Sequence, residues 1–103
     1  MTRFTVVVAA TAEKHARIVD RWWGEQRPES PDLFLEELRA TFDRLETLPF
    51  SGVRYADPNL PDVRRIFLKS SEYHVYYTID EATHTVTVRA VWHAARRGGP
   101  ELG

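Results

Sequence analysis

The chain has 103 residues, of which 43% are hydrophobic, and it contains no cysteine. This length allows one small domain, spanning residues 1–103, and the apolar content is enough for a core, which excludes a disordered chain. The absence of cysteine excludes disulfides and thiolate metal sites. No apolar run approaches the roughly 20 residues of a membrane helix. The run at residues 4–10 is rich in valine and is interpreted as a strand rather than a signal peptide, so we expect a cytoplasmic protein without a membrane partner.

The net charge of −1 hides an asymmetry between the two halves of the chain. Residues 1–62 hold eight basic and eleven acidic side chains, whereas residues 63–103 hold six basic and four acidic ones. The basic excess of the second half could attract phosphates or an acidic protein segment. It is far weaker than the charge of a dedicated nucleic-acid-binding domain.

The first half of the chain predicts one strand followed by two helices. Residues 3–9 contain three consecutive valines, so both faces of this strand are apolar, as in an interior strand. Thr11 is the expected N-cap of the first helix and Ser30 that of the second, where Pro31 follows at the first helical position. The short link between the helices predicts an antiparallel hairpin. The expected buried stripes are Ala12, Ala16, Val19 and Trp23 on the first helix, and Phe34, Leu38, Phe42 or Thr41, Leu45 and Leu48 on the second.

The second half predicts a loop at residues 50–62 and then three strands, Val63–Leu68, Tyr73–Asp80 and Thr85–His93. Strict alternation in the last strand places Val86, Val88, Ala90 and Trp92 on the face that packs against the helices. The predicted fold is therefore α+β, with the order β-α-α-β-β-β and the helix hairpin packed on one face of a largely antiparallel four-stranded sheet.

Alternation also predicts a polar face on the other side of the sheet. Arg89 and His93 are four residues apart in a strand, which puts them on one face and about 13 Å apart. Tyr76 shares that face, and either Arg64 or Arg65 joins it, depending on the register. Such a face could hold RNA phosphates and move protons at a ribose hydroxyl. Because any one-sided sheet shows polar alternation, an ordinary face that is solvated or covered by another chain is the simpler interpretation.

Other candidates give weaker signals. Arg96 and Arg97 follow the last strand, where they could bind an anionic partner or form a flexible basic tail. The three tryptophans are interpreted as core or interface anchors. His15, His74 and His84 lack metal-ligand spacing and are expected to be solvated. No nucleotide-binding or serine-hydrolase motif is present, so we expect no cofactor, no metal and no small-molecule substrate.

Taken in order, the features of the chain resemble the RelE/ParE toxin superfamily of type II toxin–antitoxin modules. The resemblance covers residues 3–102 and rests on Leu48-Pro49 and Gly52, Val63-Arg64-Arg65, His74-Val75-Tyr76-Tyr77, and the ending Val91-Trp92-His93-Ala94-Ala95-Arg96-Arg97-Gly98-Gly99-Pro100. It implies a growth-inhibiting toxin, of the kind labelled plasmid stabilisation, that is neutralised by a cognate antitoxin. ParE-like members are thought to act on DNA gyrase, and RelE-like members cleave mRNA on the ribosome.

Transferred to this sequence, the RelE-like activity would use Arg64 or Arg65, Arg89 and His93 as catalytic residues. The lysines that RelE-like enzymes carry before the second strand are absent, and residues 53–62 offer only Arg54. This departure favours the ParE-like function, which needs no catalytic set, and makes Tyr76, His93, Arg96 and Arg97 the candidates for target binding. A non-toxic relic that only binds a partner protein is the third alternative.

Overall fold

A computed structural model of the chain describes residues 2–102 and contains two helices, one short 3₁₀ helix and five strands. Strands β1 to β5 form one sheet in the order β1-β5-β4-β3-β2, in which only the β1–β5 pair is parallel. The α+β class is confirmed. The elements are β1 (Thr5–Val8), α1 (Ala10–Gln26), α2 (Leu33–Thr47), the 3₁₀ helix Pro49–Ser51, β2 (Val53–Tyr55), β3 (Val63–Leu68), β4 (Tyr73–Asp80) and β5 (Thr85–His93).

The fifth strand is β2, which lies in the stretch predicted to be a loop. Its three residues pair antiparallel with β3, Val53 opposite Arg65 and Tyr55 opposite Val63. The strand is short and surrounded by turn residues, so no local pattern identifies it, and its pairing with β3 is what fixes it. Residues after it form a turn in which the Asp57 carboxylate accepts hydrogen bonds from the backbone N–H groups of Asn59 and Leu60.

The prediction that the first strand is interior is wrong, because β1 lies at an edge of the sheet and pairs only with β5. Val6 packs against the core, whereas 42% of Val7 is exposed. The strand leads directly into α1: Ala9 donates its N–H to the Val88 carbonyl, and the Ala9 carbonyl accepts the first helical hydrogen bond from Glu13. The run of valines therefore reflects β-propensity and not burial on both faces.

Both predicted helix caps are displaced from the observed helix starts. Helix α1 begins at Ala10 after Ala9, and α2 begins at Leu33 after Asp32, in each case without a side-chain cap. The pairing of Ala9 with β5 sets the first start, so Thr11 falls inside the helix. The helices nevertheless bury the predicted stripes. Of the two alternatives Phe42 and Thr41, Thr41 is the more buried. Leu48 is the exception, since α2 ends at Thr47 and leaves it exposed.

The main core lies between the two helices and one face of the sheet, here called the helix face. Its buried members are Ala12, Val19, Trp23, Phe34, Leu38, Leu68, Val75, Val88 and Val91. Each large aliphatic or aromatic side chain of this kind contributes about 1.5–3 kcal/mol when it is fully buried. The Glu37 carboxylate of α2 adds a polar contact to the sheet, because it accepts hydrogen bonds from the backbone N–H of Ser70, and from the N–H and the hydroxyl of Ser71.

A β-bulge in β5 changes which side chains face the helices. Tyr77 pairs with Val88, but its neighbour Tyr76 pairs with Ala90, so Arg89 has no partner on β4. One extra residue reverses the alternation beyond that point. Val86, Val88 and then Val91 face the helices. The prediction that Ala90 and Trp92 lie on the helix face is therefore wrong, since both lie on the opposite face, here called the outer face.

Tyr77 joins the sheet to the segment after α2. Its fully buried hydroxyl donates a hydrogen bond to the Pro49 carbonyl at 2.7 Å and accepts one from the Gly52 N–H at 2.9 Å. A β-carbon at residue 52 would lie 2.4 Å from that hydroxyl oxygen, so only glycine fits there. This contact fixes where the 3₁₀ helix ends and where β2 begins.

We expect the substitution Tyr77→Phe to lower the free energy of unfolding by about 1–3 kcal/mol, because two buried backbone groups lose their partner. Urea denaturation measures the change. Tyr73→Phe is the matched control, since the Tyr73 hydroxyl makes no hydrogen bond within residues 2–102. Equal losses in the two variants would contradict the role assigned to the Tyr77 hydroxyl.

Candidate functional site

The register between β3 and β4 decides which arginine of the second half lies on the outer face. Arg65 pairs with Tyr76, and Arg64 pairs with Tyr77, whose side chain belongs to the helix face. Arg65 is therefore the outer-face residue. Arg64 is held on the other side, where one guanidinium nitrogen donates to the carbonyl oxygens of Gly52 at 2.9 Å and Phe50 at 3.2 Å. This gives Arg64 a structural role beside the 3₁₀ helix.

Arg65 lies among aromatic rings on the outer face. Its guanidinium donates a hydrogen bond to the Tyr76 hydroxyl at 3.3 Å and its central carbon lies 5.2 Å from the ring centre of Tyr55. Both rings add cation–π attraction to this contact. Arg89, the residue of the bulge, also reaches this side, because its Nε donates to the Thr78 hydroxyl at 3.1 Å. The outer face thus carries Arg65, Tyr76 and Arg89 together.

His93 does not join this group, and the prediction that it shares a face with Arg89 is wrong. It pairs with Tyr73 across the strands, and the two rings make an edge contact at 4.9 Å on the side of α1. The Nδ1 atom of His93 accepts a hydrogen bond from the Ala95 N–H at 3.1 Å. The bulge at Arg89 is the physical reason, because it moves every later side chain of β5 to the opposite face.

The outer face is also less open than predicted. Leu102 is only 5% exposed and forms a second apolar cluster with Val63, Tyr76 and Ala90, against which Leu60 packs. Leu102 therefore folds back onto the sheet. Tyr76, a predicted target-binding residue, is left 2% exposed.

The end of β5 combines Trp92 with the basic residues that follow it. The central guanidinium carbon of Arg96 lies 3.8 Å from the ring centre of Trp92, which is a close cation–π contact. Arg97 is exposed, and within residues 2–102 it makes no hydrogen bond or ion pair. Farther along the outer face, the His74 ring lies 5.2 Å from Phe67, and burial, helped by the nearby Arg65, lowers the His74 pKa.

His15 is a structural residue that sequence reasoning placed in solvent. It lies on α1 beside the part of β5 that β1 does not reach. Its Nδ1 accepts a hydrogen bond from the Val91 N–H at 3.2 Å. The imidazole thereby replaces a strand partner at the open edge of β5. Burial lowers the pKa of His15, and the positive charges of Arg96 and Lys14 lower it further. Only a neutral ring with its proton on Nε2 can make this hydrogen bond.

Two adjoining cavities, of about 160 and 210 Å³, lie beside α1 at the ends of β4 and β5. Both contain Tyr73 and His93 in their walls. Beside them α1 exposes 57% of Ile18 and 45% of Trp22, so this region presents exposed apolar surface next to the cavities. Across residues 2–102, no group of three or more His, Cys, Asp or Glu side chains is placed to hold a metal ion. In the same part of the chain, no helix is long and apolar enough to cross a membrane.

Comparison with known proteins gives one family match and several structural ones. The model of the ParE toxin of type II toxin–antitoxin systems matches residues 6–98. The RelBE2 toxin–antitoxin complex from Mycobacterium tuberculosis contains a similar chain, with 21% identity, a TM-score of 0.60, and coverage of 93% of this chain and 97% of that one. The intact RelBE complex from E. coli contains another, with 22% identity, a TM-score of 0.54, and coverage of 90% and 99%. No similar sequence is found among the curated proteins.

The fold and the match over nearly the whole chain define a class, the toxins of type II toxin–antitoxin systems. Within that class, the chain belongs to the ParE toxin family of the RelE/ParE superfamily. The two structural matches described above, both below 25% identity, add agreement of fold.

The hydrogen bond to His15 predicts a dependence of stability on pH. Because the folded chain lowers the pKa of His15, the unfolded chain binds more protons below pH 6.5, and the free energy of unfolding should fall as the pH falls from about 6.5 through the lower pKa of the folded state. Urea denaturation as a function of pH measures this slope, and NMR titration follows the ring.

The substitution His15→Gln should reduce the slope, leaving a smaller one from His74, whose pKa is lowered in the same direction. His84→Gln is the matched control for an exposed histidine. A His15 ring that titrates at or above 6.5, or a slope unchanged by His15→Gln, would exclude the proposed hydrogen bond.

Proposed function

We propose that the protein is a ParE-like toxin that inhibits growth by binding DNA gyrase in the cytoplasm and is neutralised by a cognate antitoxin. The family match carries the proposal, and the β-bulge supports it. A nuclease needs its acid or base beside the groups that bind the phosphate. Here His93 lies on the helix side, whereas Arg65 and Arg89 lie on the outer face.

The surface proposed for the target is the end of β5 together with Arg96 and Arg97. Arg96 is held against Trp92, Arg97 projects freely, and His93 is partly exposed beside them. A rigid aromatic ring flanked by arginines is typical of the strong contacts of protein interfaces. Tyr76 is too deeply buried to belong to this surface.

The antitoxin is proposed to cover the apolar surface beside α1. Ile18 and Trp22 are exposed there next to the cavities that contain His93, and two neighbouring structures are complexes of a toxin with its antitoxin. An antitoxin segment that binds along this surface would also block the end of β5. A single antitoxin contact would then both bury the exposed apolar side chains and block the target-binding surface, which would remove toxicity.

Induction in cells and a supercoiling assay with purified gyrase test the proposal. We expect growth arrest and gyrase-dependent cleaved or unsupercoiled plasmid. The double substitution Arg96→Ala with Arg97→Ala should weaken gyrase inhibition by about tenfold or more, because two charges leave the contact surface. The control Arg39→Ala with Arg44→Ala removes the same charge from exposed positions of α2 and should leave inhibition intact. Arrested cells with unaffected gyrase would contradict the proposal.

The second candidate is a RelE-like ribosome-dependent endoribonuclease, and the grouping of Arg65, Tyr76 and Arg89 on one face favours it. It predicts codon-aligned mRNA cuts during arrest that disappear in an Arg65→Ala variant. Intact transcripts during arrest would remove this candidate. Normal growth on induction without an antitoxin would favour the third alternative, a non-toxic relic that only binds a partner protein.

A further inference from the structure

Residues 98–102 cross the outer face and are called here the C-terminal strap. Leu102 and Pro100 are buried by the crossing, and Leu102 packs against Val63, Tyr76 and Ala90. The backbone passes so close to Tyr55 that a β-carbon at residue 99 would lie 2.4 Å from the Tyr55 hydroxyl oxygen. The strap thus covers Tyr76, the partner of Arg65 on this face, while Arg65 itself stays half-buried.

The strap is held by packing alone. Within the part of the chain that the structure describes, residues 97–102 neither donate nor accept a hydrogen bond. The strap begins with two exposed glycines, and Gly98 has a φ of 70°, a conformation that glycine adopts at no steric cost. A segment with two buried side chains and no hydrogen bonds lies at the low end of local stability, so it opens without unfolding of the sheet.

Opening of the strap would expose a surface of distinct chemistry. Tyr76 would become accessible beside Arg65, between Tyr55 on one side and the rings of His74 and Trp92 on the other. Arg89 lies on the same face. Aromatic rings on which bases stack, with arginines that contact the backbone phosphates, are the features that bind single-stranded nucleic acid.

We propose that the C-terminal strap is an autoinhibitory cover, which keeps single-stranded nucleic acid off the outer face while it is closed. The inference rests on the nucleic-acid-binding character considered for this face in the second candidate function and is independent of gyrase. In the closed state, Leu102 of the strap occupies the position on the outer face that the nucleic acid would take. The affinity of the protein for a polynucleotide is then reduced in proportion to the small fraction of molecules in which the strap is open.

The test is the binding of fluorescent RNA and DNA oligonucleotides of about 12 nucleotides, measured by fluorescence anisotropy at fixed salt. Two substitutions open the strap in different ways: Leu102→Asn removes the apolar anchor, and Gly99→Ala places a methyl group against Tyr55. Each has a matched control. Glu101→Gln changes an exposed side chain of the strap, and Gly24→Ala adds the same methyl group where nothing lies within 4 Å.

Both opening variants should bind the oligonucleotides about tenfold or more tightly than the unaltered chain, and the controls should stay within about twofold. Adding Arg65→Ala to Leu102→Asn should abolish the gain.

Cooperative urea unfolding identifies which variants are folded. A folded opening variant without a gain, or a gain that persists without Arg65, would overturn the proposal. Binding of RNA but not DNA would assign the ligand to RNA, and equal binding would assign it to either strand type. Gyrase inhibition should be unchanged in the Gly99→Ala variant, so the two proposals fail separately.

Discussion

One extra residue in the last strand determines which side chains this protein brings together. Arg89 has no partner on β4, and the side chains that follow it change faces. Val91 therefore closes the core under α1, Trp92 turns outward to meet Arg96, and His93 comes to lie against Tyr73. A strictly alternating strand would bury Trp92 under the helices and align His93 with Arg89. The bulge is thus the feature on which both the core and the functional surfaces depend.

The bulge separates two surfaces with different chemistry. On the helix side, exposed apolar side chains of α1 adjoin His93 and the residues after β5. On the outer face, Arg65 lies among aromatic rings, Arg89 contacts Thr78, and a strap without hydrogen bonds in the described residues covers Tyr76. A histidine on one side and arginines on the other do not form a single proton-transfer site. This division supports the proposal that the protein acts by binding and not by cleavage.

The sequence predicts much of this fold because local signals dominate it. Periodicity identified both buried helix stripes, and alternating runs identified β3, β4 and β5 with the bounds that the structure has. Prediction from the sequence failed where pairing with a distant segment decides the local structure. β2 is a strand only because it pairs with β3. The edge position of β1 follows from its parallel pairing with β5, and α1 starts directly after Ala9, whose N–H still pairs with the Val88 carbonyl.

The candidate site could be predicted only in part, for the same reason. The sequence places arginines and a tyrosine in these strands. A bulge, however, has no signature in a run such as Thr-Val-Arg-Ala-Val, and the register that selects Arg65 over Arg64 depends on β4. His15 gave no signal at all, because its role comes from a backbone N–H 76 residues away in the chain. The burial of Leu102 was equally hidden, since Gly98 and Gly99 before it suggest a loose end.

A two-dimensional NOE spectrum of the purified protein tests the central claim, which is the division of faces by the bulge at Arg89. The account predicts cross-peaks between the ring protons of His93 and Tyr73, and between Ala90 and Leu102, with none between His93 and Tyr76. Cross-peaks from His93 to Tyr76 or to the Arg65 side chain would place the histidine on the outer face with the arginines. That result would contradict the bulge and restore a single catalytic surface.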